Sequence, residues 1–133
     1  MDSVGPDLRE RISAVCEAQP HVELAIVFGS VAKGTATDRS DVDIAVRGRG
    51  IEMLSLTLAL SEALGREVDV VMLDDPGVPL LEALIRDGIV IWESAPGAGA
   101  QWRSTVLAML ETDRPWYARM RDSWLRHVAS EGL

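Results

Sequence analysis

Along this chain the spacing of apolar residues switches repeatedly between a helical and a strand period, and the switches predict its elements. In residues 6–19, Leu8, Ile12 and Val15 fall near helical spacing behind acids in the first turn, and Pro20 drives its predecessor out of helical geometry. This predicts a helix that packs on a sheet. Residues 21–28 have a period of two. Val22, Leu24, Ile26 and Phe28 share a face, yet Ala25 and Val27 are apolar too, as in a central strand covered on both sides. Asp41 to Val46 predicts a second strand, and residues 66–73 a third, with Val68, Val70 and Met72 toward the core and Asp69 on the opposite face. Residues 51–64 form a leucine-rich helix stopped by Gly65, with Leu54, Leu58, Leu60 and Leu64 expected in the core. Residues 74–77 read as a turn and 78–86 as a short helix stopped by Gly88. Residues 89–92 read as a last strand at a sheet edge.

The clearest break is the small, flexible run at 94–100. It divides the chain into an expected catalytic domain at 1–93, a linker at 94–100 and a helical extension at 101–133. Two helices are expected in the extension, at 101–111 and 115–129, with Pro115 suited to the first turn of the second. Trp116, Met120 and Trp124 recur every four residues, and Trp102 lies in the preceding helix. Packing on the sheet or on that helix is the favoured reading of this stripe. An anchor for a partner or a second copy, with Arg119, Arg121 and Arg126 nearby, is the alternative.

Composition narrows the class. A 133-residue chain with 47% hydrophobic and 26% charged residues is one globular domain with a single core. No apolar run reaches the roughly eighteen residues of a membrane helix. The start, MDSVGPDLRERI, lacks the basic-then-apolar pattern of a secretory signal. The one cysteine, Cys16, excludes an internal disulfide and fits a reducing compartment, so a cytoplasmic protein with a buried structural thiol is expected. The net charge of −8 is uneven: residues 1–100 hold 8 basic and 17 acidic residues, and 101–133 hold 5 and 4. An acidic body is a poor binder of nucleic acid, whose affinity comes largely from phosphate neutralisation. A cationic small molecule or a protein partner suits it better.

The candidate chemistry lies in VFGSVAKGTATDRSDVDIAVRG, residues 27–48. Gly29 permits a sharp turn and close ligand approach. Ser30 can offer a hydroxyl and an N–H to a phosphate at the start of a short helix, and Lys33 can add positive charge. For a lone Gly-Ser, a plain helix cap with a solvated lysine would be the better reading; the paired aspartates that follow favour the phosphate. Asp41 and Asp43 project from one face of the second strand, with Cα atoms about 6.6 Å apart. Two such charges repel unless a cation lies between them, and their spacing suits divalent ions.

Gly-Ser, ten residues, then Asp-x-Asp resembles the core motif of the polymerase-β-like nucleotidyltransferases. The short chain is most similar to the minimal nucleotidyltransferases (MNT proteins) that pair with HEPN partners in toxin–antitoxin modules. The resemblance implies an α/β (α+β) fold, a small mixed sheet flanked by helices, with C-terminal helices added. It implies a third acid on the strand beside Asp-x-Asp. Asp69 matches this by chain order, and Glu67 competes with it. It further implies Mg²⁺-dependent transfer of AMP from ATP to a tyrosine of a HEPN-type ribonuclease toxin. Asp41, Asp43 and Asp69 would be the catalytic ligands of two Mg²⁺ ions, and Gly29, Ser30 and, less directly, Lys33 would hold the nucleotide. The expected partners are ATP and a HEPN-domain toxin, with oligomerisation through the C-terminal helices as a further possibility. An aminoglycoside-like small-molecule nucleotidyltransferase and a non-enzymatic antitoxin that neutralises by binding are the alternatives.

Overall fold

The computed structural model describes residues 4–37, 39–73 and 78–112. The expected turn at 74–77 and the expected tail helix at 115–129, with Trp116, Met120, Trp124 and Arg119, Arg121 and Arg126, lie outside the described residues. The elements in order are α1 (Pro6–Ala18), β1 (Leu24–Phe28), α2 (Gly29–Lys33), β2 (Val42–Arg47), α3 (Met53–Leu64), β3 (Val68–Met72), α4 (Val78–Asp87), β4 (Ile89–Glu93) and α5 (Ala98–Thr112).

Among the described residues the four strands form one mixed sheet in the order β3-β2-β1-β4. β1 runs antiparallel to both β2 and β4, whereas β2 and β3 are parallel. A parallel pair cannot be joined by a tight turn. The helical pattern at 51–64 supplies the crossover as α3, which places β3 beside β2 in the same direction. β1 is interior and β4 lies at an edge, as the apolar patterns predict.

Strand alternation sends side chains into two cores. Ala25, Val27, Val42, Ile44, Val46 and Val68 meet Ile12 and Cys16 of α1 and Leu56, Leu60 and Leu64 of α3. On the other face Leu24, Ile26 and Ala45 pack with Leu73, Leu84 and the half-buried Trp102 of α5. Cys16 is buried without a disulfide, and its burial pushes the thiol up to about 12.

The leucines of α3 require a correction. Leu54 and Leu58, expected in the core, are 67% and 60% exposed, and the helix buries Leu56, Leu60 and Leu64. Leucines at every second position of a 3.6-residue period fall on opposite sides of a helix, and the sheet accepts only one stripe. The helix after the glycine-rich run starts at Ala98, within the expected linker. The half-buried Glu93 carboxylate accepts from the N–H groups of Gly99 at 2.9 Å and Gly97 at 3.2 Å, which holds its pKa below the ordinary glutamate value and ties the first turn of α5 to the end of β4. Among the described residues no helix is long and apolar enough to cross a membrane.

Candidate active site

The register of the sheet builds the site. Phe28, the last residue of β1, pairs with Asp43 of β2, and Asp43 pairs on its other side with Asp69 of β3. Phe28, Asp43 and Asp69 therefore form a row across three strands. Their side chains lie on the face opposite Val42, Ile44 and Val68, because those valines and isoleucine enter the core under α1 and α3. Asp41 precedes β2 and is two residues from Asp43, on the same side by alternation. The register sets Asp69, not Glu67, opposite Asp43; Glu67 lies before β3, where its carbonyl accepts the N–H of Val42 at 3.0 Å.

β1 passes directly into α2 at Gly29, whose φ is +74. A Cβ on Gly29 would collide with Oδ2 of Asp43 and lie 3.2 Å from its Cγ, so both the backbone angle and the space demand glycine. Val31 and Ala32 are buried and pin α2 to the sheet. Ser30 is half-buried, and its carbonyl accepts from the N–H of Thr35 at 3.0 Å. Its hydroxyl makes no hydrogen bond among the described residues. Lys33 is exposed at the end of α2, where Gly34 turns the chain away with φ +78.

The loop into β2 is held from a distance. Ser40 N–H donates to the Thr37 carbonyl at 3.1 Å, and Thr37 N–H donates to the Ser40 hydroxyl at 2.9 Å. Arg66, between α3 and β3, donates from one guanidinium nitrogen to the carbonyls of Thr37 at 3.1 Å and Ser40 at 2.6 Å. Sequence reading assigns Arg66 no role, because a side chain that binds backbone carbonyls leaves no motif.

Asp43 is the half-buried member of the trio, and Asp41 and Asp69 are exposed. Burial raises its pKa above the ordinary aspartate value, and the charges of Asp69 and Asp41 push it further in the same direction. The ion pairs between described residues, Arg11 with Asp7 and Arg86 with Asp87, lie elsewhere, and none neutralises the trio. The donor set is all oxygen, mutually repelling and without an ion pair among the described residues, which suits a hard divalent ion. As the side chains stand, no three His, Cys, Asp or Glu residues among those described are gathered closely enough to enclose a metal. Asp43 with Asp69 or Asp41 could therefore hold an ion only if other oxygens complete its shell, which is how magnesium is commonly bound beside phosphates. Farther along the same sheet face a cavity of about 150 Å³ is lined by Ile26, Leu84, Val90, Trp102 and Arg103, among others, and by no acid.

A family model described as "Polymerase beta, Nucleotidyltransferase" matches residues 10–96, which include every candidate site residue. Among solved structures, a chain of a toxin–antitoxin complex with AMP-PNP is 23% identical, with a TM-score of 0.71 over 88% of this chain and 98% of that one. A complex of tri-AMPylated Shewanella oneidensis HEPN toxin with MNT antitoxin contains a chain 20% identical, with a TM-score of 0.65 over 89% of this chain and 96% of that one. A candidate minimal nucleotidyltransferase is 36% identical, with a TM-score of 0.51 over 61% of this chain and 86% of that one. No curated protein matches the sequence significantly. The first two likenesses, at low identity, establish shared folding; the family model and the third reach into the sequence itself.

Proposed function

This chain belongs to the polymerase beta nucleotidyltransferase family, and from that premise we propose that it transfers AMP from ATP to a tyrosine hydroxyl of a HEPN-type toxin and so acts as its antitoxin. The observation that carries the reading is the row of Asp43 and Asp69 in register on adjacent strands, with Gly29 packed against the Asp43 carboxylate and no ion pair to these acids among the described residues.

In this proposal Asp41, Asp43 and Asp69 would hold two Mg²⁺ ions together with the triphosphate. When bound, the ions would neutralise the carboxylates, draw charge from the phosphates and acidify the acceptor hydroxyl. Gly29 leaves the backbone open to the β- and γ-phosphates, and the Ser30 hydroxyl donates to a phosphate oxygen. Lys33 supplies further positive charge at the outer end of α2. Asp69 takes the proton from the acceptor hydroxyl, whose oxygen forms a bond to the α-phosphorus. The bond from that phosphorus to the β-phosphate oxygen breaks, and pyrophosphate leaves.

The protein acceptor is supported by the fold shared with chains from toxin–antitoxin complexes, one of them with an AMPylated HEPN toxin. It is supported also by the acidic body, which suits a protein better than a nucleic acid. The proposed setting is the cytoplasm. The test is incubation with the protein encoded beside this one, Mg²⁺ and ATP labelled on its α-phosphate, with Asp43→Asn as the control. The expected result is covalent label on the partner and a mass gain of one or more AMP units. Label confined to a small molecule or to RNA refutes the antitoxin role, and neutralisation of the partner without label identifies a binding antitoxin.

A further inference from the structure

We propose that Arg66 is a positioning residue for the metal-binding acids: its guanidinium clamps the loop that delivers Asp41 to the root of the strand that carries Asp69. This deepens the nucleotidyltransferase reading above and rests on it. Among its described residues the loop has no ladder of its own. Thr37 and Ser40 close a turn through their own side chains and through Ser40 N–H to Thr37 O, but those bonds are internal to the turn and do not anchor it to the sheet. The anchor is Arg66, which donates to the carbonyls at both ends of the turn, Thr37 O at 3.1 Å and Ser40 O at 2.6 Å. The Ser40 carbonyl belongs to the peptide group that leads into Asp41, so the clamp acts on the peptide group bonded to the Cα of that acid.

Arg66 is itself fixed by position, three residues before Asp69 and next to Glu67, whose carbonyl receives the first inter-strand bond of the pair from Val42 N–H at 3.0 Å. One side chain thus ties the beginning of β2 to the beginning of β3, and the separation of Asp41 from Asp69 depends on that tie. Arg66 Nε is buried without a hydrogen-bond partner among the described residues, an unfavourable arrangement that its carbonyl bonds at the other end of the guanidinium offset. Its ion-pairing capacity is not spent on the acids, since among the described residues it forms no salt bridge to Asp41, Asp43 or Asp69.

Position and charge predict opposite signs. A guanidinium acting through its charge alone repels an incoming cation, so its removal would tighten metal binding. A guanidinium that sets the spacing of the ligands weakens metal binding when it is removed, and loss of a residue that orients a metal ligand typically lowers affinity about tenfold or more. The experiment compares the full-length wild type with Arg66→Met and Arg66→Lys, and reads Mn²⁺ affinity by electron paramagnetic resonance with a non-hydrolysable ATP analogue. Hydrogen exchange at Asp41 and Val42 and the melting temperature are measured alongside. The expected result for Arg66→Met is Mn²⁺ affinity about tenfold weaker, faster exchange at the two amides and a folded protein. Arg66→Lys, which keeps a charged multiple donor, recovers most of the affinity. If Arg66→Met does not fold, Arg66→Gln takes its place, a neutral donor with too short a reach. Unchanged or tighter Mn²⁺ binding in the folded neutral variant overturns the positioning role alone. Failure of the wild type to bind Mn²⁺ with the nucleotide overturns the nucleotidyltransferase site, and this inference with it.

Discussion

Gly29→Ala probes the junction of backbone and carboxylate directly. The residue has φ +74, where an L side chain is strained by about 1–2 kcal/mol. The new methyl group would also collide with Oδ2 of Asp43 and lie 3.2 Å from its Cγ. The atom struck is the far end of a short side chain, so the fold can escape by turning Asp43 away from its preferred rotamer, at about 0.5–1.5 kcal/mol. Together these amount to roughly 1.5–3.5 kcal/mol, or a fall in melting temperature of roughly 5–14 °C for a chain of this length. The movement that rescues the fold removes the central carboxylate from its place opposite Asp69. Because a misplacement of about 1 Å can reduce a rate by about a hundredfold, transfer should fall at least that far, at a temperature well below both melts. The assay is label transfer from ATP together with a thermal melt. A double-mutant cycle sharpens it: if the loss acts through Asp43, adding Gly29→Ala to Asp43→Asn should reduce the residual transfer little further, although the stability effect of the backbone angle remains. A folded Gly29→Ala protein that transfers at the wild-type rate would refute the reasoning.

Asp43→Asn should lower transfer by at least about a hundredfold while raising the melting temperature of the metal-free protein at neutral pH; a fall in that temperature counts against the electrostatics. The sign follows from the raised pKa of Asp43: between roughly pH 4, where an unfolded aspartate ionises, and the higher folded value, the native chain holds more protons, so stability is lost as pH rises through that window. Melts of the metal-free wild type and Asp43→Asn across this range should diverge toward higher pH, and Mg²⁺ with ATP should stabilise the wild type more than the variant. On α3, Leu56→Ala and Leu60→Ala should each destabilise by about 2–5 kcal/mol, whereas Leu54→Ala and Leu58→Ala should stay within about 0.5 kcal/mol. Denaturant unfolding separates the two pairs, and equal losses would show that the exposed leucines are covered in solution.

Much of this was legible in the chain because the information was local. The order of strands and helices followed from changes of apolar period. Gly65 announced the end of α3, and the all-apolar run around Ala25 and Val27 announced an interior strand. Leu54 and Leu58 were misjudged because hydrophobicity at a spacing of two says that a helix is apolar all round, without saying which side meets the sheet. The start of α5 at Ala98 escaped because its anchor, the Glu93 carboxylate bound to Gly97 and Gly99, turns a flexible-looking run into a helix terminus.

By itself, the order of residues determined that Asp41 and Asp43 share a strand face and that a glycine precedes Ser30, since strand alternation and the torsional freedom of glycine act over one or two residues. It named Asp69 as the third acid through resemblance and through its place in the middle of an apolar run. Only the folded chain decided that Asp69 stands opposite Asp43, because parallel pairing of β2 with β3 depends on the length and docking of the helix between them. Only the folded chain brought Arg66 to the carbonyls before Asp41, twenty-six residues away from Ser40 in sequence. Contacts of that kind carry no periodicity, and come into being once the two cores have set where each strand begins.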